Sequence, residues 1–176
     1  MTPIATLIHA DEGNQALNLL WQAVAEWRRQ GLRVAGLLNP LDAQGKRIRE
    51  RVCSLTDERE YEIMYADTGD RVADSDGRLA CLLNPQELAA SSAVIRDALA
   101  TPPDILVFNK FGYAESEGGG LLDEYAQAVG QGIAVVSLLK TKYLPEWRAF
   151  TDGMGTELSD SDSDTLLAWG LGQKGV

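Results

Sequence analysis

Four polar stretches of this chain hold the residue types that could do chemistry. His9 to Asn14 reads His-Ala-Asp-Glu-Gly-Asn and places the only histidine beside Asp11, Glu12 and Gly13. Asn39-Pro40 is a second stretch. Asn109-Lys110 follows an apolar run, and Glu115 and Glu117 come just before a Gly118-Gly119-Gly120 triplet. Lys140, Lys142 and, farther on, Arg148 add three cations. A loop that opens a helix can turn backbone N–H groups toward an anion, and a lysine supplies a compact positive charge for an oxyanion. Carboxylates can instead gather a divalent cation. The chemistry on offer is anion recognition, with or without a metal.

These stretches act together only if the fold assembles them. Ile4 to Ile8, apolar and preceded by Pro3, reads as a buried strand. Leu17, Leu20, Trp21, Val24 and Trp27 recur at three- and four-residue spacing, which marks one face of a helix. Gly31 after Arg28 and Arg29 ends that helix, and Leu32 to Leu38 is a second strand closed by Asn39-Pro40. Strand, helix and strand within about 35 residues predict a βαβ unit of a parallel sheet.

The middle of the chain is different. Ile48 to Leu55 and Glu60 to Tyr65 read as strands joined by a polar turn, Asp67 to Asp76 as another turn, and Arg78 to Leu83 as a further strand. Residues 46–83 therefore predict an antiparallel excursion. Asn84-Pro85-Gln86-Glu87 combines an N-cap, a first-turn proline and a third-position glutamate, so a helix should run to about Leu99. Ile105 to Phe108 and Ile133 to Leu139 are apolar strands, while Leu121–Val129, Pro145–Phe150 and Asp164–Leu171 predict helices. The expectation is one α/β domain over residues 1–176. In such a sheet ligands bind at the carboxyl ends of the strands, where all four polar stretches fall.

Bulk properties narrow the partners. The chain has 176 residues, 26 acidic and 16 basic, for a net charge of −10, which disfavours nucleic acid and anionic membranes. Cys53 and Cys81 have neither a CxxC spacing nor a framework count, so free thiols of a reducing compartment are expected. The opening MTPIATLIHADEG lacks the basic stretch and long apolar run of a signal peptide, and no window is long and apolar enough to span a bilayer. A cytoplasmic location is the expectation.

A resemblance adds to this. Ala10-Asp11-Glu12-Gly13-Asn14-Gln15-Ala16-Leu17 stands where a nucleoside triphosphatase carries its phosphate loop. Asp104 to Glu115 looks like the metal-binding strand and following loop of the small thermophile-type nucleoside triphosphatases, which also carry an antiparallel excursion after the second strand. Over nearly its whole length the chain resembles the bacterial domain-of-unknown-function family 2478. That resemblance rests on Asn109-Lys-Phe-Gly, Glu117-Gly-x-Gly-Leu-x-x-Glu124 and Leu144-Pro-Glu-Trp-Arg-x-Phe150. It implies a three-layer P-loop-NTPase-like fold and a link to molybdenum or nitrogen metabolism.

The departures from the triphosphatase pattern bear on mechanism. A phosphate loop needs glycines, a lysine for the outer phosphates and a hydroxyl for magnesium. With Gly13 as the last glycine, Asn14 stands at the lysine position and Gln15 at the hydroxyl position, and Asp11 and Glu12 lie inside the loop. A carboxylate ~4 Å from a phosphate oxygen, at an effective dielectric of ~20, repels it by roughly 4 kcal/mol. Asn109 replaces the metal-holding aspartate and Lys110 the acid that prepares the attacking water. No metal site is expected, and no cofactor is specified.

The favoured reading is a non-hydrolysing, binding or regulatory member of this fold, taking a small anion or nucleotide. His9, Asp11, Glu12, Gly13, Asn14, Asn109, Lys110, Glu115, Glu117, Lys140, Lys142 and Arg148 are its candidate residues. Plainer roles stand beside it: Lys110 paired with a carboxylate, Asp11 and Glu12 complementing a helix dipole, His9 as a hydrogen-bonded structural residue. Two other functions stay open. One is an enzyme binding nucleotide in a changed pose, with Glu115 or Glu117 recruiting the metal. The other is a partner-binding protein or homodimer using the excursion or an uncovered tryptophan among Trp21, Trp27, Trp147 and Trp169.

Overall fold

The computed structural model describes residues 2–65 and 83–174. Strand β1 (Ile4–His9) leads into α1 (Asn14–Arg29), and β2 (Val34–Leu38) follows. β3 (Arg51–Ser54) and β4 (Glu60–Glu62) come next, then α2 (Pro85–Ala100) and β5 (Ile105–Phe111). A one-turn helix α3 (Tyr113–Ser116) and α4 (Leu122–Gly130) precede β6 (Ala134–Lys140). A 3₁₀ turn at Thr141–Tyr143, α5 (Leu144–Thr151), β7 (Thr156–Ser159) and α6 (Ser163–Leu171) complete the order.

The strands form one seven-stranded sheet in the order β4-β3-β2-β5-β6-β1-β7. β2, β5, β6, β1 and β7 are parallel, whereas β3 and β4 pair antiparallel beyond β2, as the excursion predicts. Although consecutive in the chain, β1 and β2 are not neighbours; β5 and β6 lie between them. This order gathers the carboxyl ends of β1, β6, β5 and β2 side by side.

Helices cover both faces. On one face α1 and α6 bury Leu17, Leu20, Trp27, Leu166 and Trp169 against Leu7, Val107 and Val136. On the other, Ile95, Tyr125 and Trp147 from α2, α4 and α5 pack on Leu106, Phe108 and Val135. Strand residues alternate between the two cores because successive side chains leave opposite faces. The result is the three-layer P-loop-NTPase-like arrangement.

The local signals act as their chemistry dictates. Asn84 caps α2 by accepting from the Glu87 N–H at 3.3 Å. Gly31, at φ +87°, lets the amide of Leu32 return to the Trp27 carbonyl at 3.0 Å and close α1. Gly36 lies so close to β5 that a Cβ there would come within 1.9 Å of the Val107 carbonyl oxygen. Three tryptophans, Trp27, Trp147 and Trp169, are covered within the chain, and Trp21 is half-buried with its indole N–H on the Asn39 carbonyl. None of them is an exposed docking patch.

Some expectations need correction. Ile48 and Arg49 precede β3, and β4 ends at Glu62 rather than Tyr65. β5 runs past Phe108 to Phe111. β7 and α3 had no counterpart among the predicted elements; β7 carries one buried residue, Leu158, so its apolar signal is weak. The turn predicted at Asp67–Asp76, the strand from Arg78 and Cys81 lie outside the described residues, apart from Leu83, which bridges Met64 antiparallel. No helix among the described residues is long and apolar enough to cross a membrane.

Candidate functional site

The site begins with an irregularity in β5. Phe108 lies opposite Ser137 of β6, but Phe111 lies opposite Leu139, so β5 carries an extra residue and bulges at Asn109-Lys110. The bulge is held from two sides. Asn109 Oδ1 accepts the Asn39 N–H of β2's end at 2.8 Å, and the Tyr125 hydroxyl donates to the Lys110 carbonyl at 2.9 Å. Tyr125 itself is stacked on Phe108, with ring centroids 3.7 Å apart. The Lys110 stem lies along Gly112, where a Cβ would come within 3.2 Å of Lys110 Cδ.

Beside the bulge opens a cavity of about 400 Å³ at the carboxyl ends of β1, β2, β5 and β6. Arg47, Arg49, Lys110, Lys140 and Lys142 line it, together with His9, Asp11, Asn39 and Asn109. Among the described residues Ile63, Met64, Leu83, Phe111, Gly112, Tyr113 and Tyr143 also line it. Another recess, around Arg28, Leu32 and Glu58, lies at the amino end of β2, away from these strand ends.

Arg47 is the best-anchored cation. Its Nε donates to Asn39 Oδ1, while Asn39 Nδ2 donates to the Arg51 carbonyl at 2.6 Å. Its backbone N–H donates to Asn14 Oδ1 at 2.9 Å. One turn along α1, Asn18 donates to the Gly45 carbonyl at 3.0 Å. Two asparagines on one helix face thus fix the loop that carries Arg47. Among the described residues no carboxylate lies within 4.0 Å of the charged ends of Arg47, Lys110, Lys140 or Lys142, whereas Arg49 donates to Glu12.

Burial first, and like charge after it, act on the basic groups of the cavity. Burial pushes the Arg47 guanidinium down to about 10, Arg49 adds to that, and Glu12 opposes it. Lys110 is lowered by desolvation first and by Arg47 next; Glu115 opposes the shift and Arg49 adds to it. Water still reaches Lys110 through the open side of the cavity, although protein atoms crowd its ammonium. The plain pairing of Lys110 with a carboxylate is not found among the described residues. His9 is lowered by burial, with Arg47 and Lys140 adding to the shift and the Asp11 carbonyl and carboxylate opposing it.

The β1–α1 loop is arranged otherwise. Gly13, at φ +79°, donates its N–H to Asp11 Oδ1 at 2.9 Å. The His9 ring lies over Gly13, where a Cβ would come within 2.8 Å of Cε1, and its Nδ1 donates to the Asp11 carbonyl at 3.1 Å. The space in which such a loop would wrap an anion holds an imidazole. An available amide is already given to the protein's own carboxylate.

The remaining predicted residues separate into two groups. His9, Asp11, Asn109, Lys110, Lys140 and Lys142 meet at the cavity, with Glu12, Gly13 and Asn14 adjoining it through Arg49, His9 and Arg47. Glu115, Glu117 and Arg148 do not line it. Glu115 is buried and accepts from Gly112 N–H at 3.1 Å and Leu121 N–H at 3.4 Å, so both its oxygens are spent clamping the glycine loop. Glu117 is exposed after α3, and Arg148 is held by Glu157 of β7 through 2.7 and 2.8 Å hydrogen bonds.

Sequence reasoning missed Arg47 and Arg49. Their signal was the run Lys46-Arg47-Ile48-Arg49-Glu50-Arg51, a cluster of cations in an acidic chain just after the second strand. The apolar wall from Ile63 to Tyr143 left no local signal, since it joins segments far apart in the chain.

A family model described as a protein of unknown function (DUF2478) matches residues 4–169. This chain belongs to that family. It is also 33% identical over 143 residues to a protein of Bradyrhizobium diazoefficiens named molybdenum import ATP-binding protein ModC 2. That match takes 80% of this chain and 15% of the relative, so the chain spans only a small part of the relative's length. No solved structure matches the DUF2478 chain.

Proposed function

We propose that this DUF2478 protein is a non-hydrolysing member of the P-loop-NTPase-like fold that binds a small anion as a binding or regulatory protein. The observation that carries this is the convergence of Arg47, Arg49, Lys110, Lys140 and Lys142 on one cavity, in a chain of net charge −10. Cations placed against the prevailing charge cost stability through mutual repulsion, and an anion between them relieves it. Anchored donors on Arg47 and the fixed bulge under Lys110 provide a preorganised site.

Two features support the absence of triphosphate turnover. The Gly13 amide and the space above it are taken by Asp11 and His9. Asn109, at the position of a metal ligand, gives its oxygen to Asn39. Magnesium and the base both lack a place in this scheme. The name of the Bradyrhizobium relative supports a connection with molybdenum and makes molybdate the first oxyanion to test.

Calorimetry and thermal shift with molybdate, tungstate, sulfate, phosphate and ATP, each with and without magnesium, test the proposal. At least one anion should raise the melting temperature, since ligand at 100 times Kd stabilises by about 2.7 kcal/mol. At the same ligand concentration the shift should shrink in Arg47→Met to about half or less. Magnesium-dependent ATP turnover that disappears in Lys110→Ala would overturn the reading, as would indifference to every anion tested.

A further inference from the structure

The cavity is larger and less polar than a bare oxyanion requires. Its volume is about 400 Å³, within the range of sites for whole organic ligands, roughly 300–1,000 Å³. A water molecule's share of liquid is about 30 Å³, and a tetrahedral oxyanion is only a few times that size. The lining is also divided by chemistry. Arg47, Arg49 and Lys110 belong to the cationic part, whereas Ile63, Met64 and Leu83 come from the end of the excursion and its bridge. Phe111 is the last residue of β5, and Tyr113 and Tyr143 follow the ends of β5 and β6.

Two of these apolar side chains are left uncovered. Tyr113 is 66% exposed and Leu83 43% exposed, and both line the cavity. Lys142 sits 5.0 Å from the Tyr143 ring centroid, so a cation and an aromatic face occur together at this wall. An exposed aromatic beside a cluster of cations fits a ligand with a flat π face and an anionic group.

Resting on the anion-binding function proposed above, we infer that the ligand is a small organic anion in which a phosphate-class group is joined to a planar ring. The anionic group meets Arg47 and Lys110, and the ring lies on the wall containing Tyr113 and Leu83. Inorganic oxyanions then occupy only the charged part of the site. Binding does not involve the β1–α1 loop amide, which Asp11 holds.

Calorimetry on the full chain with matched probes tests this. Phenyl phosphate should bind at least tenfold more tightly than inorganic phosphate, and adenosine monophosphate at least tenfold more tightly than ribose 5-phosphate. Tyr113→Ala should reduce each gain to less than threefold, and Leu83→Ser provides a second variant at an exposed position. If ring-bearing probes bind no better than their ringless partners, the inference fails while anion binding stands. A gain that survives in both variants also overturns it, because the ring then lies elsewhere. Failure of all probes, inorganic phosphate and molybdate included, overturns the anion-binding function as well.

Discussion

The β1–α1 loop and the bulged end of β5 both lie at carboxyl ends of the parallel sheet, and both are places where an anion would be sought. In the loop the polar groups are spent: Asp11 takes the Gly13 N–H and the His9 ring covers the same glycine. At the bulge, Lys110 and the neighbouring Arg47 keep their charge directed at a cavity, while their backbones and stems are held by Tyr125, Gly112 and Asn14. Asn14 links the two regions. It opens α1 at the end of the loop, and its side chain accepts the backbone N–H of Arg47. Anion recognition has two separable requirements, a shaped backbone and a fixed charge; here the cations lie on segments other than the β1–α1 loop.

The largest effect is expected under the bulge. Gly36→Ala would drive a Cβ into the Val107 carbonyl at φ +126°, separating β2 from β5. Steric overlap and backbone strain together should cost ~3 kcal/mol or more, measurable by urea denaturation. Retention of wild-type stability would mean that the two strands do not approach as closely as described.

Next comes Arg47→Met. Loss of a charge-assisted hydrogen bond is worth about 1.5–3 kcal/mol, so affinity for the anion found in the screen should fall roughly 10- to 100-fold by calorimetry. In the loop, Gly13→Ala adds strain at φ +79° and a clash with His9, for about 1–2 kcal/mol of stability. Its anion affinity should stay within threefold of wild type. A larger loss of binding in Gly13→Ala than in Arg47→Met would invert the comparison of the two regions.

Asn14→Ala probes the link itself. Releasing the Arg47 backbone should weaken anion binding by about three- to tenfold, in line with one neutral hydrogen bond of ~0.5–1.5 kcal/mol. Unchanged binding would show that Asn39 and the Asn18–Gly45 contact position Arg47 without Asn14.

The smallest effect is acid dependence at His9. Its folded pKa lies below 6.5, so the unfolded chain binds more protons between the two values. Stability contributed by neutral His9 is present above 6.5 and is lost as pH falls through the lowered folded pKa. Melting temperatures of wild type and His9→Gln across that window should converge toward the acid side. Parallel curves would show that burial does not hold the His9 pKa below its ordinary value.

Much of the fold was legible locally. Helical spacing from Leu17 to Trp27, the cap at Asn84 and the apolar run at Ile105 each point to an element that forms there. β7 was not, because a four-residue edge strand with only Leu158 buried has almost no periodic signal. The bulge was hidden for a similar reason: register is a relation between strands, and residues 105–111 alone do not carry it.

For the site, residue types alone determined that the loop at 9–14 offers carboxylates and no ammonium group, and that Asn109-Lys110 cannot act as a magnesium-holding pair of acids. Only the tertiary structure decided which charges converge. Arg47 reaches Lys110 because β2 and β5 are adjacent in the sheet, whereas Arg148 is drawn to Glu157 on the far edge. Side-chain chemistry is written residue by residue, but electrostatic potential depends on distances between segments, and those distances are set by strand order and packing.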